Sequence, residues 1–142
     1  MPLKQIIHGG SDYKKMVALR AKMLRTPLGL SFSKLELGKE ENDLLIAAFD
    51  EDEMLGCCIL TKVDEHILRL RQMAVKDNLQ GKGIGAAIIL FGENLARDKG
   101  YKKITMHARN SAIGFYEKFE YKVIGNEFEE VKLPHHIMEK ML

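Results

Sequence analysis

The run Gln80-Gly81-Lys82-Gly83-Ile84-Gly85 is the part of this sequence best suited to chemistry. It follows a strand-like run, Leu68 to Val75, and precedes Ile84, Ile88, Phe91 and Leu95, which recur at helical spacing. A strand, a glycine turn and a helix N-terminus bring free backbone N–H groups together where the helix dipole favours negative charge. Glycine also spares the backbone a side chain that would hold a phosphate away. A bound phosphorylated ligand is the functional reading. A tight strand-to-helix turn that needs glycine only for its geometry is the plain one. The P-loop pattern does not fit, because Gly83 is followed by Ile84 and the pair Gly81-Lys82 leads into Gly83. The dinucleotide pattern G-x-G-x-x-G is met with Ala86 in its last slot, a permitted residue. That loop normally follows the first strand of a fold, whereas this one lies past the middle of the chain.

The elements that must position this loop can be read in order. Leu3 to His8 is a short strand, and Ser11 caps a helix running to about Arg25, with Tyr13, Met16, Val17, Arg20, Met23 and Leu24 on one face. Thr26-Pro27-Leu28-Gly29 ends it. The stretch to about Asn42 is irregular or briefly helical. Leu44 to Phe49 and Met54 to Val63 form a hairpin around the acidic turn Asp50 to Glu53. In the strand from His66 to Val75, Leu68 and Leu70 alternate with Arg69 and Arg71, and then Met73 and Val75 fall one residue out of phase. That slip predicts a β-bulge near residues 71 to 73, whose unpaired backbone could take an extended ligand as a pseudo-strand. A strand end buried on both faces would give the same pattern. The helix after the loop runs to about Lys99 and ends at Gly100. Lys102 to Ala108 is a strand, and Asn110 caps a short helix with Ala112, Phe115, Tyr116 and Phe119 on one face. Tyr121 to Val131 and His136 to Leu142 are the last strands. The expected fold is α/β in the α+β sense, a mixed central β-sheet with helices on both faces, in one domain spanning 1–142.

Composition narrows the function. With 142 residues, 46% of them hydrophobic, the chain is large enough for one core and too apolar for disorder. A net charge of +2 with acids and bases interleaved argues against nucleic acid as partner. No apolar signal or membrane-length segment is visible. Cys57 and Cys58 are adjacent, so on a strand they point to opposite faces and do not bond to one another. They read as reduced, buried residues of a cytoplasmic protein. No second Cys or His pair stands at metal-ligand spacing, so no metal site is expected.

Two motifs in this order resemble the GNAT superfamily of acyl-CoA-dependent N-acetyltransferases. Gln80-x-x-Gly83-x-Gly85 is similar to the family's Q/R-x-x-G-x-G/A pyrophosphate loop, and Asn110-x-Ala112-x-x-Phe115-Tyr116-Glu117-Lys118 to its N-x-x-A-x-x-F-Y-x-K segment. The resemblance implies acetyl-CoA as cosubstrate and an amine as acceptor. It implies that the backbone of Gln80, Gly81, Lys82, Gly83, Ile84 and Gly85 holds the pyrophosphate. Met73, Ala74 and Val75, past the bulge, would pair with the pantetheine arm. Asn110 and Phe115 would contact that arm, and Tyr116 would protonate the leaving thiolate. By pattern alone Tyr116 is a core aromatic and Asn110 a helix cap.

The ending Pro134-His135-His136-Ile137-Met138 resembles the P-H-x-x-M ending of a subset of small bacterial GNAT proteins, which makes His135 a candidate to accept the amine proton or orient the acceptor. A strand-end histidine bonded to backbone is the plainer alternative. The sequence departs from the family at Glu120, where a glycine is usual, and at Arg69, where some members carry a catalytic carboxylate. His107 is a second candidate base, and Arg25, Arg69 and Arg71 are candidates for binding an acidic acceptor group, with an exposed helix-end arginine the plainer reading of Arg25. Two functional readings follow. One is acetyl transfer to a primary amine of a small molecule or peptide, by direct attack in a ternary complex. The other is an acyl-CoA-binding or sensor module of the same fold without turnover. A homodimer is compatible with either.

Overall fold

The computed structural model describes residues 1–142. Its chain order is β1 (Leu3–Ile6), α1 (Ser11–Arg20), a π-helical turn (Ala21–Arg25), a 3-10 turn (Thr26–Leu28), α2 (Lys34–Gly38), β2 (Leu44–Asp50) and β3 (Glu53–Lys62). Then come β4 (Ile67–Val75), α3 (Ile84–Asp98), β5 (Lys103–Arg109), a 3-10 turn (Asn110–Ala112), α4 (Ile113–Glu117), β6 (Lys122–Glu130) and β7 (Leu133–Met141). The strands form one seven-stranded sheet in the order β1-β2-β3-β4-β5-β7-β6. All neighbours are antiparallel except β4 and β5, which run parallel. No helix is long and apolar enough to cross a membrane.

The sheet is covered on both faces because its strands alternate between two apolar sets. Ile46, Ala48, Cys58, Leu60, Leu68 and Leu70 pack with Ile84, Ile88 and Ile89 of α3. Leu45, Ala47, Phe49, Cys57, Ile59 and Ala74 pack with Tyr13, Met16 and Leu19 of α1. Cys57 and Cys58 therefore enter opposite cores, both as free thiols. Burial pushes the Cys57 thiol up to about 12, and Cys58 higher still. Gly56 lets α3 sit close to the sheet: a Cβ there would lie 2.9 Å from Ile88 Cδ1 and 3.1 Å from the Ala74 carbonyl oxygen.

The phase slip in β4 is a bulge. Arg71 pairs with Ile59 and Ala74 with Cys57, so Gln72 and Met73 both stand opposite Cys58. Gln72 takes a left-handed φ of 56° to make the extra residue fit. Its effect is to keep Met73 and Val75 on the α3 side, with Leu68 and Leu70, while Arg69 and Arg71 stay on the α1 side.

Several boundaries differ from the sequence reading. The first helix is α-helical only to Arg20 and continues as a π turn to Arg25. Its N-cap is Gly10, whose carbonyl accepts the Lys14 N–H, and Ser11 makes no capping bond. The short second helix is capped by Ser33, whose hydroxyl accepts the Glu36 N–H. The last strand begins at Leu133 and not His136, because Val131 and Lys132, both at positive φ, make a two-residue turn that pairs Glu130 with Leu133 directly. Pro134 is tolerated in it because β5 pairing starts only at His135, opposite Arg109. Glu120 adopts φ 72°, the conformation for which glycine is suited, and forms the turn into β6 regardless.

Candidate active site

The site is made by a pairing that stops. β4 and β5 are in register from Ile67–Lys103 to Leu70–Met106 and then diverge. Past Leu70 the β5-facing edge of β4, from Arg71 to Val75, has no neighbouring strand. The bulge at Gln72 lies where the strands part, and its extra twist explains the divergence. A gap opens through the sheet, with one cleft on each side.

On the α3 side a cleft of about 660 Å³ is lined by Met73, Val75, Leu79, Gln80, Gly81, Gly83, Ile84, Gly85, Ala112, Phe115 and Tyr116, among others. Its floor is the glycine loop. No protein group accepts the backbone N–H groups from Gln80 through Ala86: the neighbouring bonds are Leu79 to Lys76 and Ala87 to Gly83. Gly81 and Gly83 take φ of 81° and 84°, and nothing lies within 4 Å of where their Cβ atoms would be. A row of unpaired donors at the start of the fifteen-residue α3, with open space above it, has the chemistry to take a polyanion. Gly85 serves a different end, since its Cβ would fall 2.9 Å from Phe115 Cζ, and its absence lets the aromatic wall of the cleft close on α3.

On the α1 side a cleft of about 340 Å³ is lined by Leu24 and Arg25 from the π turn, Arg69 and Arg71 from β4, His107 and Arg109 from β5, and Glu130 and His135 from the β6–β7 hairpin. Met73, Ala112 and Tyr116 line both clefts, so they mark the junction. Tyr116 is 6% exposed, and no protein group hydrogen-bonds its hydroxyl. Burial raises its pKa well above the ordinary phenol value, so the proton is present at neutral pH.

The polar groups of the smaller cleft form a chain. His107 Nδ1 is 2.9 Å from an Arg69 nitrogen and 3.0 Å from Glu130 Oε1. The other Glu130 oxygen lies 3.8 Å from His135 Nε2. His135 is 3% exposed, and its Nδ1 meets the Leu133 carbonyl at 2.9 Å. A carbonyl only accepts, so Nδ1 carries the hydrogen and Nε2 faces the cleft as the free nitrogen. Phe128 stacks on its ring. Burial works to raise the Glu130 pKa, but the hydrogen bond from His107 and the charges of His107, His135 and Arg69 outweigh it and hold the carboxyl below the usual range. Glu130 was not singled out from the sequence. It sits beside Glu129 in an acidic strand end, and only the pairing of β6 with β7 turns one of the two inward.

Of the remaining residues expected at a site, Asn110 lines neither cleft. Its amide donates to Glu127 Oε1 at 2.7 Å and its Oδ1 accepts from His136 Nδ1 at 2.8 Å, and Arg109 stands at the cap position expected for it. Ala74 turns its side chain into the α1 core, which leaves only its backbone at the strand edge. Lys82 offers only its backbone to the loop and does not line the cleft.

The comparisons agree with this architecture. A family model described as acetyltransferase (GNAT) domain matches residues 31–142. The Xenopus tropicalis protein named "Probable N-acetyltransferase 14" is 28% identical over 115 residues, which make up 78% of this chain and 55% of that protein. YyaT of Bacillus subtilis, an uncharacterized protein, is 29% identical over 95 residues, 67% of this chain and 64% of its own length. The chain thus spans less than two thirds of the length of these curated relatives. Among solved structures, an aminoglycoside 6'-N-acetyltransferase complexed with coenzyme A has a TM-score of 0.81 at 17% identity, with 99% of this chain and 97% of that chain covered. A GNAT family acetyltransferase from Elizabethkingia anophelis with acetyl-CoA bound has a TM-score of 0.76 at 19% identity and the same coverage. With a family model covering most of its length, and the fold shared along the whole of it, this chain belongs to the GNAT acetyltransferase family.

Proposed function

We propose that residues 1–142 form one GNAT domain that transfers acetyl from acetyl-CoA to a primary amine of a small molecule or peptide, by direct attack in a ternary complex. The carrying observation is the junction: two clefts of different chemistry meet at Met73, Ala112 and Tyr116. The unpaired N–H groups from Gln80 to Ala86 suit a pyrophosphate, and the strandless edge of β4 from Met73 to Val75 suits the amide-bearing pantetheine arm. Phe115 would flank that arm. Acetyl-CoA in the E. anophelis relative of the same fold supports the choice of cosubstrate.

In this reading the amine enters from the Arg109 side and attacks the thioester carbonyl at the junction. The C–S bond breaks, the Tyr116 hydroxyl gives its proton to the sulfur, and coenzyme A leaves as the thiol. The amine proton passes to His135 Nε2, the free nitrogen of a ring already anchored through Nδ1, and Glu130 stabilises the imidazolium that forms. The phenolate is reprotonated through solvent. Cys57 and Cys58 are fully buried with raised pKa values, which disfavours a covalent acyl carrier on either. Their reduced, buried state is also the basis for placing the activity in the cytoplasm.

A module that binds acyl-CoA without turnover is the second reading, and Arg69, which occupies the position of a carboxylate in some family members, favours it. The deciding experiment is calorimetric titration with acetyl-CoA, with NADH and ATP as controls, followed by thiol release across an amine panel. Selective binding with amine-dependent thiol release supports transfer. Binding without release on any amine, unaltered by Tyr116→Phe, supports the module. Absence of acetyl-CoA binding rejects both.

A further inference from the structure

The smaller cleft carries an imbalance of charge. Four arginines, Arg25, Arg69, Arg71 and Arg109, line it against the single carboxylate of Glu130. Two of the four are compensated elsewhere. Arg25 donates to Glu36 Oε2 at 2.6 Å and stacks on Phe32 at 4.2 Å, and Arg71 lies 3.9 Å from Asp43 and donates to Thr61. The other two are compensated less, because Arg109 has no carboxylate and the one near Arg69 also serves two histidines. Arg109 has no carboxylate within 4 Å, and its one hydrogen bond goes to the Leu24 carbonyl. Arg69 reaches only one carboxylate, Glu130 at 3.9 Å, which it shares with His107 and His135, and has its Nε buried with no partner. Burial, and after it the neighbouring Arg71 or Arg25, lowers the pKa of both guanidiniums. An uncompensated guanidinium half out of water is costly unless something anionic meets it. The face also lies on the acceptor side of the sheet, away from the glycine loop, so the pyrophosphate cradle does not supply that anion.

We propose that the acceptor amine carries an anionic group, a carboxylate or a phosphate, which Arg109 and Arg69 bind while its amino group lies toward Glu130 and His135. Charge selection in this cleft is two-sided. Glu130 attracts the ammonium end of an incoming zwitterion, and the arginines take its other end. A polycationic acceptor meets four guanidiniums and is disfavoured. The geometry suits a planar carboxylate or a phosphate equally, because a guanidinium binds either with two parallel hydrogen bonds.

This inference rests on the acetyl-transfer reading, and its test separates the two. Acetyl transfer is measured for matched pairs: amino acids against their methyl esters, phosphoethanolamine against ethanolamine, and a diamine as the polycation control. The expected result is a kcat/KM about tenfold or more higher for the anionic member, the size of one or two charge-assisted hydrogen bonds. Whether carboxylates or phosphates lead tells which anion the cleft takes. Arg109→Gln and Arg69→Gln should each raise KM for the anionic acceptor with little change in kcat, and remove the preference for it. Equal rates for both members of each pair, or a preference that survives both substitutions, overturns the proposal and leaves acetyl transfer standing. If no amine is acetylated, an N-acetyl amino acid is titrated onto the coenzyme A complex. Binding that Arg109→Gln weakens tenfold upholds the anion site without transfer, and no binding overturns both.

Discussion

Glu40→Gln tests what holds α1 and the segment after α2 together. Glu40 is 1% exposed and lies just beyond α2, and it accepts a forked pair from Arg20 of α1 at 2.8 and 2.6 Å. Tyr13 donates to the same Oε1 at 2.7 Å. Arg20 is wholly buried, with its Nε unpartnered and Phe32 stacked on its guanidinium at 4.7 Å. Glutamine keeps the shape but loses the charge, and its amide N–H₂ must face the Arg20 donors or the Tyr13 hydroxyl. A buried guanidinium is then left without a counter-charge, a change that costs about 3–5 kcal/mol. Against a domain stability of about 5–15 kcal/mol that is a large share, and for a chain of this size it lowers Tm by about 10–15 °C. Circular dichroism melts and urea midpoints at pH 7 read it directly. Acid adds a second arm. Burial opposes ionisation of Glu40, but the hydrogen bonds from Arg20 and Tyr13 and the charges of Arg20 and Arg71 outweigh it and hold its pKa low. The stability it contributes is therefore complete above the unfolded glutamate pKa of about 4.3 and drains away as pH falls through the lower folded value. The gap between wild type and Glu40→Gln should narrow below about pH 4. A Tm loss under about 2 °C at pH 7, with a gap that does not change with pH, would refute the reasoning.

Tyr116→Phe removes a hydroxyl that no protein group bonds, so Tm should move by less than about 2 °C while kcat falls about 10²–10⁴-fold. A defect confined to acetyl-CoA affinity would mean that the ring only packs. Gly83→Glu places a carboxylate over the unpaired N–H groups and should abolish coenzyme A binding by calorimetry. Gly83→Ala carries the same strain of a left-handed φ, about 1–2 kcal/mol, without the charge, and should bind measurably. Unchanged affinity in a folded Gly83→Glu protein would remove the pyrophosphate assignment. Gly56→Ala sets a methyl 2.9 Å from Ile88 Cδ1 and 3.1 Å from the Ala74 backbone oxygen, and should destabilise by about 1–3 kcal/mol in urea. Adding Ile88→Val, which deletes the nearer of the two atoms, should recover part of that loss.

Much of this was legible because local pattern and global placement agree. The one-residue phase slip between Leu70 and Met73 marks the bulge, since Leu68, Leu70, Met73 and Val75 share the α3 face only if the strand carries an extra residue. The glycine loop was legible for a similar reason: glycines bracketed by a strand and an apolar helix leave few alternatives. What stayed hidden depends on long-range pairing. Glu130 and Glu129 are indistinguishable in sequence, and only the hairpin turn at Val131-Lys132 aims one at His107 and His135. Arg109 stands in no motif, and its isolation follows from where Glu36 and Asp43 spend their charge. The π turn at Ala21–Arg25 shares the helical apolar pattern, so periodicity does not expose it. Asn110 looked like a cap because asparagine before a helix usually is one, but the strands β6 and β7 claim its side chain first.

The parallel seam between β4 and β5 has a consequence for the life of the chain as a polymer. Everything on one side of it comes from residues before Lys99, and everything on the other side from residues after Gly100. As the chain leaves a ribosome, the hairpin strands and both long helices therefore emerge before the second part does. The second part docks through four register pairs and the apolar surface shared by Ile104, Met106, Tyr116 and Met138 with α3. A ligand bound through the gap, as in the proposed function, would touch both parts and work as a stitch across the seam. Its binding energy then appears as resistance to separation of the two parts, most of all in the amide exchange of β5 and β7.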